Sequence, residues 1–448
     1  MAARGLRREI SLTAATAIVI GSVIGSGIFR TPSLVAQQFP QAWVILLLWT
    51  LGGLVTIAGA LTVAELATMY PRAGGPYVFV KEAFGETPGF LAGWIYFVLG
   101  KLAIGAAVAI VFAEHASFLA EEYLGFPLSE SGILFLAAWA LVVLTFVNWI
   151  GLRFGAGVNT FLTVLKALAL AAVTLMAFAF ARGDPTAAPT AAPFEGGGGL
   201  AVAVLAVLFA YNSWINATIV GEEVKDPARN LPRSLFWGTL LVTVLYVGAN
   251  ASYLWILGPD GMARNALVAT AAASRVVAWG GVFIAASVLV SAFGNLNGGI
   301  LTGARLPFSM ARDGFLPRAI ARVNERHVPD GALFLELAGF LVLLFGLRTF
   351  TALIAAATFA SWLILAAICV GFFVLRRTAP DVDRPYRVHG YPFVPAVFAL
   401  AAAFVVGVTA LQQMSAVLVT LVTGIVGAGL LFFRRPGEAP SAEAVAEA

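Results

Sequence analysis

In the run VIGSVIGSGIF, residues 19–29, five of eleven positions are Gly or Ser, although the stretch from Ile10 to Phe29 is otherwise apolar. Gly21, Gly25 and Gly27 make a GxxxGxG spacing, whose commonest use is close helix packing. Its other use is chemical. If the helix opens at Gly25-Ser26-Gly27, the N–H groups starting the next half-helix carry about half a positive charge and suit a carboxylate. A second weak stretch, FAYNSWIN at 209–216, sets Asn212 and Ser213 among apolar and aromatic residues. Phe209, Tyr211 and Trp214 read as packing aromatics, but mid-membrane amides and hydroxyls are costly unless they bond something. An opening there frees carbonyls able to hold an ammonium group. Carboxylate at one opening and ammonium at the other describe a zwitterion, the shared part of the α-amino acids. Opened backbone is tolerable at membrane depth only where it lines a cavity or is buried in protein.

Isolated charges come next. Lys166 and Lys101 both fall inside apolar segments, where a charged lysine costs about 2.5–3.5 kcal/mol. Lys166 is either a coupling group or a structural lysine bonded to backbone carbonyls. Its ammonium fits the place where a sodium ion would otherwise brace the opened helices, with the Tyr211 hydroxyl or Ser26 as partner. Lys101 admits the same two readings. Arg30 lines an outer vestibule or snorkels. Of Asn295 and Asn297, at least one faces the cavity or bonds a neighbouring helix. All 23 Asp and Glu residues can be placed in loops or near helix ends, with Glu65, Glu114 and Glu336 nearest the interior. That placement argues against a buried carboxylate relay and against a substrate with a cationic side chain. The three histidines, His115, His327 and His389, fall in or near loops, and no metal-ligand set or cofactor motif is visible. A membrane enzyme is therefore disfavoured. Cys369 is the one cysteine, which excludes an internal disulfide or zinc cluster.

These residues need long helices to position them. The chain has 448 residues, 60% hydrophobic and 11% charged, with mean hydropathy +0.92; soluble proteins carry about 25% charged residues. Apolar segments near 10–36, 41–69, 87–119, 131–150, 153–181, 199–221, 234–258, 276–304, 331–347, 350–375, 391–411 and 414–433 are long enough for helices rather than barrel strands. The reading is an all-α integral membrane protein with 12 transmembrane helices. The basic N-terminus precedes a retained span without a cleavage site. With that terminus inside, twenty Lys and Arg residues fall on the inner side against four outside, Arg182, Arg264, Arg275 and Arg348. Both termini are thus expected in the cytoplasm. The net charge of +4 reflects this topology rather than a nucleic-acid partner. A Pro/Gly-rich linker at 182–199 separates spans 1–5 (10–181) from spans 6–10 (200–377), and an odd number of spans inverts the second set. Spans 1 and 6, each with a weak stretch, are counterparts in such an inverted repeat, the best sequence pointer to a transport site. Then come a cytoplasmic loop at 378–390, two final helices at 391–434 and a tail at 435–448 of disordered composition.

The stretches GSVIGSGIF, ELATMYPRAGGPYVFVKEAFG, FAYNSWINATIVGEEVKDPARNLP, FGNLNGGILTGARLPFSMARDGFLP and RPYRVHGYPFVP, in this order, resemble the amino acid-polyamine-organocation (APC) superfamily and within it the L-type amino acid transporter (LAT) branch. The resemblance implies the LeuT-like fold, an inverted 5+5 helix repeat with helices 1 and 6 discontinuous plus two C-terminal helices, and a short helix in AGGPYVFVKEAFG. It implies sodium-independent transport, with exchange of amino acids common. Carried over, Gly25, Ser26 and Gly27 donate to the substrate carboxylate. Main-chain groups of Val23, Ile24, Phe209, Ala210 and Asn212 receive the amine. Phe209 gates, and Tyr211, Ser213, Trp214, Asn295, Phe359 and Trp362 join it around the side-chain pocket. Lys166, with Tyr211, braces or couples. Two departures stand out. Asn212-Ser213 replaces a pair that often contains glycine, and no cysteine lies outside span 3 where animal members link to a heavy chain, so no disulfide-linked heavy chain is expected. The expected function is exchange of neutral L-amino acids across the inner (plasma) membrane. A proton-coupled symporter using Lys166 is the alternative, and a sensor without flux a more distant one.

Overall fold

The computed structural model describes residues 10–25, 27–72, 74–150, 198–325 and 328–432, with Arg8 and scattered positions between 164 and 179. Ser26, the linker 182–197, His327, the chain before Arg8 and the tail lie outside the described residues, as does most of span 5. The described part is helical apart from one isolated bridge. Nine of its helices are long and apolar enough to cross a membrane, and a tenth span is formed if one bent pair is counted together.

That pair is α1 (Leu12–Val23) and α2 (Gly27–Gln38), which meet at 41°. The Ser11 hydroxyl caps α1 by accepting from the Ala14 N–H at 3.3 Å. At its other end α1 stops at Ile24, and Gly25 folds its N–H back onto the Val23 carbonyl at 2.7 Å. α3 (Ala42–Met69) follows, then the short α4 (Pro76–Phe84) that the resemblance implies. Span 3 is α5 (Glu86–Ile95), a π-helical stretch at Tyr96–Ala103, and α6 (Ile104–Leu124); π turns inside α-helices often mark functional positions. α7 (Glu130–Trp149) completes the described part of the first set.

The apolar stretch expected near 199–221 is also interrupted, although it is not itself among the helices long enough to cross a membrane. α8 (Gly198–Ala210) ends in a turn over 211–215, and α9 (Asn216–Ile219) continues for four residues. Ser213 takes a left-handed φ of 74° inside that turn, a position that favours glycine. α10 (Pro227–Arg264) is kinked at Gly258. α11 (Val268–Val276), a helix without an apolar run long enough to announce it, leads into α12 (Gly280–Gly303) and α13 (Arg305–Arg312). α14 (Asp330–Leu347), α15 (Phe350–Thr378), α16 (Phe393–Gln412) and α17 (Met414–Leu431) close the chain.

Polar clasps gather where the basic loops lie. Glu65, fully buried on α3, accepts from Arg376 of α15 at 2.9 and 2.5 Å and from the Val388 N–H at 2.8 Å. This is what the RPYRVHGYPFVP motif is built around: Arg384 caps the end of α15 by donating to the carbonyls of Leu375 and Ala379. Tyr77 and Lys81 of α4 both hold Asp313, and Ile10 pairs with Val224 through Ile10 N–H to Glu223 and Lys225 N–H to Ile10, each 2.9 Å. Two placements read from the sequence need correction. Glu336 is enclosed at 1% exposure although it lies only seven residues into its helix, because neighbouring elements cover it. His115 is likewise fully buried in α6, its Nδ1 2.9 Å from the Val111 carbonyl.

Candidate functional site

The two chain openings meet. A Cβ added to Gly27 would sit 2.6 Å from the Ala210 Cα, so α2 begins against the end of α8 at a distance that only glycine permits. The carbonyls where α1 stops each accept from another span, Val23 in addition to the Gly25 N–H. Lys166 donates to Gly21 at 2.9 Å, Tyr246 of α10 to Val23 at 2.7 Å, and Asn295 of α12 to Ile24 at 3.2 Å. The Tyr246 hydroxyl also lies 3.3 Å from the Ala210 carbonyl, the last residue of α8, so one phenol spans both openings. Lys166 has a second acceptor in Asn295 Oδ1 at 2.6 Å.

Several expectations change. Among the described residues the partners of Lys166 are Gly21 and Asn295 rather than Tyr211, whose hydroxyl donates to the Trp49 carbonyl at 3.0 Å, and Ser26 lies outside the described residues. Trp49, Tyr211 and Tyr246 form an aromatic triangle with ring centroids 5.1–5.9 Å apart. Sequence reasoning does not single out Trp49 or Tyr246. The only signal is a buried hydroxyl that must bond something, and a Tyr in an apolar run does not say what.

Phe209 meets Phe350 of α15 edge-on, centroids 5.7 Å apart. Arg30 stacks over the other partner of that pair, 4.4 Å from the Phe350 centroid, and forms an ion pair with Glu114 of α6. Arg30 is thus engaged rather than snorkelling. Asn212 uses its amide twice: Oδ1 accepts from the Ser213 N–H at 2.7 Å, and Nδ2 donates to Ser361 of α15 at 3.4 Å. Phe359 is buried two residues from Ser361. Trp214 and Trp362 instead pack on Phe398 of α16, at 6.5 and 5.8 Å between centroids. Asn297 takes the interhelical role, accepting from Asn148 of α7 at 2.8 Å. Among the described residues no group of His, Cys, Asp or Glu is arranged to hold a metal ion.

A multi-pass helical bundle whose opened backbones converge on a polar, enclosed centre has the architecture of a membrane transporter for a small polar solute. The chain belongs to the amino acid permease family, which it matches over residues 10–434. It is 31% identical over 429 residues to the serine/threonine exchanger SteT of Bacillus subtilis, covering 94% of this chain and 96% of that protein. It is 33% identical over 418 residues to the human large neutral amino acids transporter small subunit 2, covering 89% and 75%. A third relative, the mouse b(0,+)-type amino acid transporter 1, is 29% identical over 408 residues, covering 90% and 82%. The protein is an APC-superfamily amino acid transporter of the LAT type, multi-pass and not an enzyme.

Proposed function

We propose that the protein exchanges neutral L-amino acids across the bacterial inner membrane by alternating access, without sodium. The observation that carries this reading is the Tyr246 hydroxyl within hydrogen-bond distance of both Val23 and Ala210. It holds the carbonyl end of each opening at one point, beside the start of α2. In this reading the N–H groups at Gly25, Ser26 and Gly27 receive the substrate carboxylate, and carbonyls of Val23, Ile24, Phe209, Ala210 and Asn212 receive its ammonium. The side chain extends toward Asn212 and Ser361, walled by Tyr211, Ser213 and Phe359, with Phe209 on Phe350 as the gate and Trp214 and Trp362 in the layer behind. An amide and a hydroxyl, with no carboxylate beside them, favour a neutral substrate. The names of the first two relatives, one for serine and threonine and one for large neutral amino acids, agree with that class.

Sodium independence rests on Lys166, whose ammonium lies between Gly21 of α1 and Asn295 of α12 and supplies a fixed charge to that junction. Two five-helix repeats of opposite orientation, 10–181 and 200–377, would rock spans 1, 2, 6 and 7 against the remainder, with both termini and the basic loops in the cytoplasm.

The test uses purified protein in liposomes. Labelled neutral amino acid outside is offered to vesicles that are empty or preloaded with the unlabelled compound. Uptake confined to preloaded vesicles and unchanged when sodium is replaced is the expected result. Uptake into empty vesicles driven by an inward proton gradient would overturn exchange and make Lys166 the first candidate for the coupling site.

A further inference from the structure

Lys101 and Glu336 take no part in the site above, yet both are buried inside the bundle. Lys101 sits in the π-helical stretch of span 3 and directs its ammonium to Asn216 Oδ1 at 2.5 Å. Asn216 is the first residue of α9, immediately after the turn that opens span 6. Glu336 of α14 is 1% exposed, and neither carboxyl oxygen has a hydrogen-bond partner. Its place is made by Gly303: a Cβ there would sit 2.0 Å from Oε1. A Cβ on Gly339, three residues beyond Glu336, would sit 2.3 Å from the Leu102 side chain, so α14 packs against the π-helical stretch that carries Lys101; among the described residues no ion pair joins Lys101 and Glu336, and the cation is held by a neutral amide.

The other charges around α14 are occupied or remote. Arg305 on α13 pairs with Glu223, Arg312 lies over Phe308, and Arg322 holds Asp330. Arg318 stands in the turn beside α13. α12 carries no ionisable residue, α15 brings Arg376, committed to Glu65, and Arg377 at its last turn. The acids Glu130 of α7 and Glu114, Glu121 and Glu122 of α6, and His115 with them, lie toward the far end of the span from Lys101. Lys101 is therefore the buried cation carried by the element packed against Glu336. An ionised carboxylate enclosed without a donor is strongly unfavourable.

We propose that Glu336 is a proton-binding site whose occupancy is set by the Lys101–Asn216 contact. The carboxyl is protonated while Lys101 holds Asn216. When α9 withdraws to open the cytoplasmic side, the ammonium is released and turns to Glu336, whose acid form gives up its proton to water and becomes the carboxylate of an ion pair. On closure the proton returns and Lys101 goes back to Asn216. Over one exchange cycle no net proton crosses, but the rate of closure depends on pH. This rests on the reading of span 6 as a moving element, and it adds a regulatory group outside the amino-acid site.

Two readouts separate the proposal from the transport reading. In liposomes with equal pH on both sides, wild-type exchange slows severalfold from acid to alkaline pH, and Glu336→Gln exchanges at a rate that no longer follows pH. A wild-type profile that is flat, or one retained in Glu336→Gln, overturns the proposal. Infrared spectra of the reconstituted protein need no transport: a carboxylic-acid carbonyl band present in wild type and missing in Glu336→Gln supports the site, and its absence from wild type refutes it. Absence of exchange at every pH would refute the exchange reading and leave the infrared result decisive for the proton.

Discussion

Tyr246→Phe removes one oxygen and keeps the ring in the Trp49–Tyr211 triangle, so it isolates the bridge between the two openings. The hydroxyl has a single hydrogen, given mainly to Val23 at 2.7 Å, with Ala210 at 3.3 Å sharing it. Deleting the donor leaves the Val23 carbonyl with the Gly25 N–H alone and takes the phenol from the Ala210 carbonyl, a loss of about 1–3 kcal/mol. Falling wholly on substrate recognition, that loss is a factor of about 5 to 150 in affinity. The same helix supplies a control two turns along. Tyr253 is also fully buried, but its hydroxyl has no hydrogen-bond partner, so Tyr253→Phe removes a desolvated polar atom and is neutral or slightly stabilising. The assay is exchange in preloaded liposomes over a range of substrate concentration, together with thermal unfolding in detergent. Tyr246→Phe is expected to raise KM and lower the melting temperature while Tyr253→Phe does neither. Two variants that behave alike, or a Tyr246→Phe protein with wild-type KM, would refute the idea that the hydroxyl organises the carbonyl side of the site.

Glu65→Gln weakens the buried clasp between α3 and α15. Such pairs cost about 3–5 kcal/mol when one partner is removed, and the 21% exposure of the Arg376 side chain places this one at the lower end. A clear fall in melting temperature is expected, and an unchanged one would show that Arg384 and the Val388 N–H hold the loop without the charge. Arg30 and Glu114 are each about a fifth exposed, so losing their attraction shifts the balance of closed and open states by about 1 kcal/mol. Arg30→Glu alone should slow exchange, and Arg30→Glu with Glu114→Arg should recover much of it; no recovery in the pair would assign Arg30 to its stacking on Phe350 instead.

The spans are legible because apolar runs of bilayer length seldom occur in soluble chains, and the openings because Gly, Ser and Asn are misplaced in such runs. α4 is readable only through the resemblance of AGGPYVFVKEAFG to relatives. α11 escapes because VATAAASRV is short and a third polar, and the π turn of span 3 has no compositional mark. A backbone carbonyl is one of the partners the sequence allows Lys166, but that it is the carbonyl of Gly21 is not legible, since every residue carries that group and no sequence distinguishes it. Glu336 looks peripheral by its position in the span. At 1.5 Å per residue it lies only about 10 Å into the helix, and its enclosure comes from elements elsewhere in the chain, such as Gly303 of α12.

The openings cost more than the sequence alone suggests, since each exposes carbonyls where lipid offers no donor. The structure meets that cost from three different spans, with Lys166 on Gly21, Tyr246 on Val23 and Ala210, and Asn295 on Ile24. Two of these donors are neutral, and a carbonyl oxygen has two lone pairs. Tyr246 therefore bridges Val23 and Ala210 in the empty protein and leaves Ala210 able to accept from an ammonium group, whereas Val23 already accepts from the Gly25 N–H as well. A fixed cation at the same position would repel that ammonium, and an apolar residue would deprive the Ala210 carbonyl of this donor and leave Val23 with the Gly25 N–H alone whenever substrate is absent. A phenol at residue 246 avoids both, which is why the hydroxyl, rather than the Lys166 charge, is the group on which the carbonyl side of the site should depend.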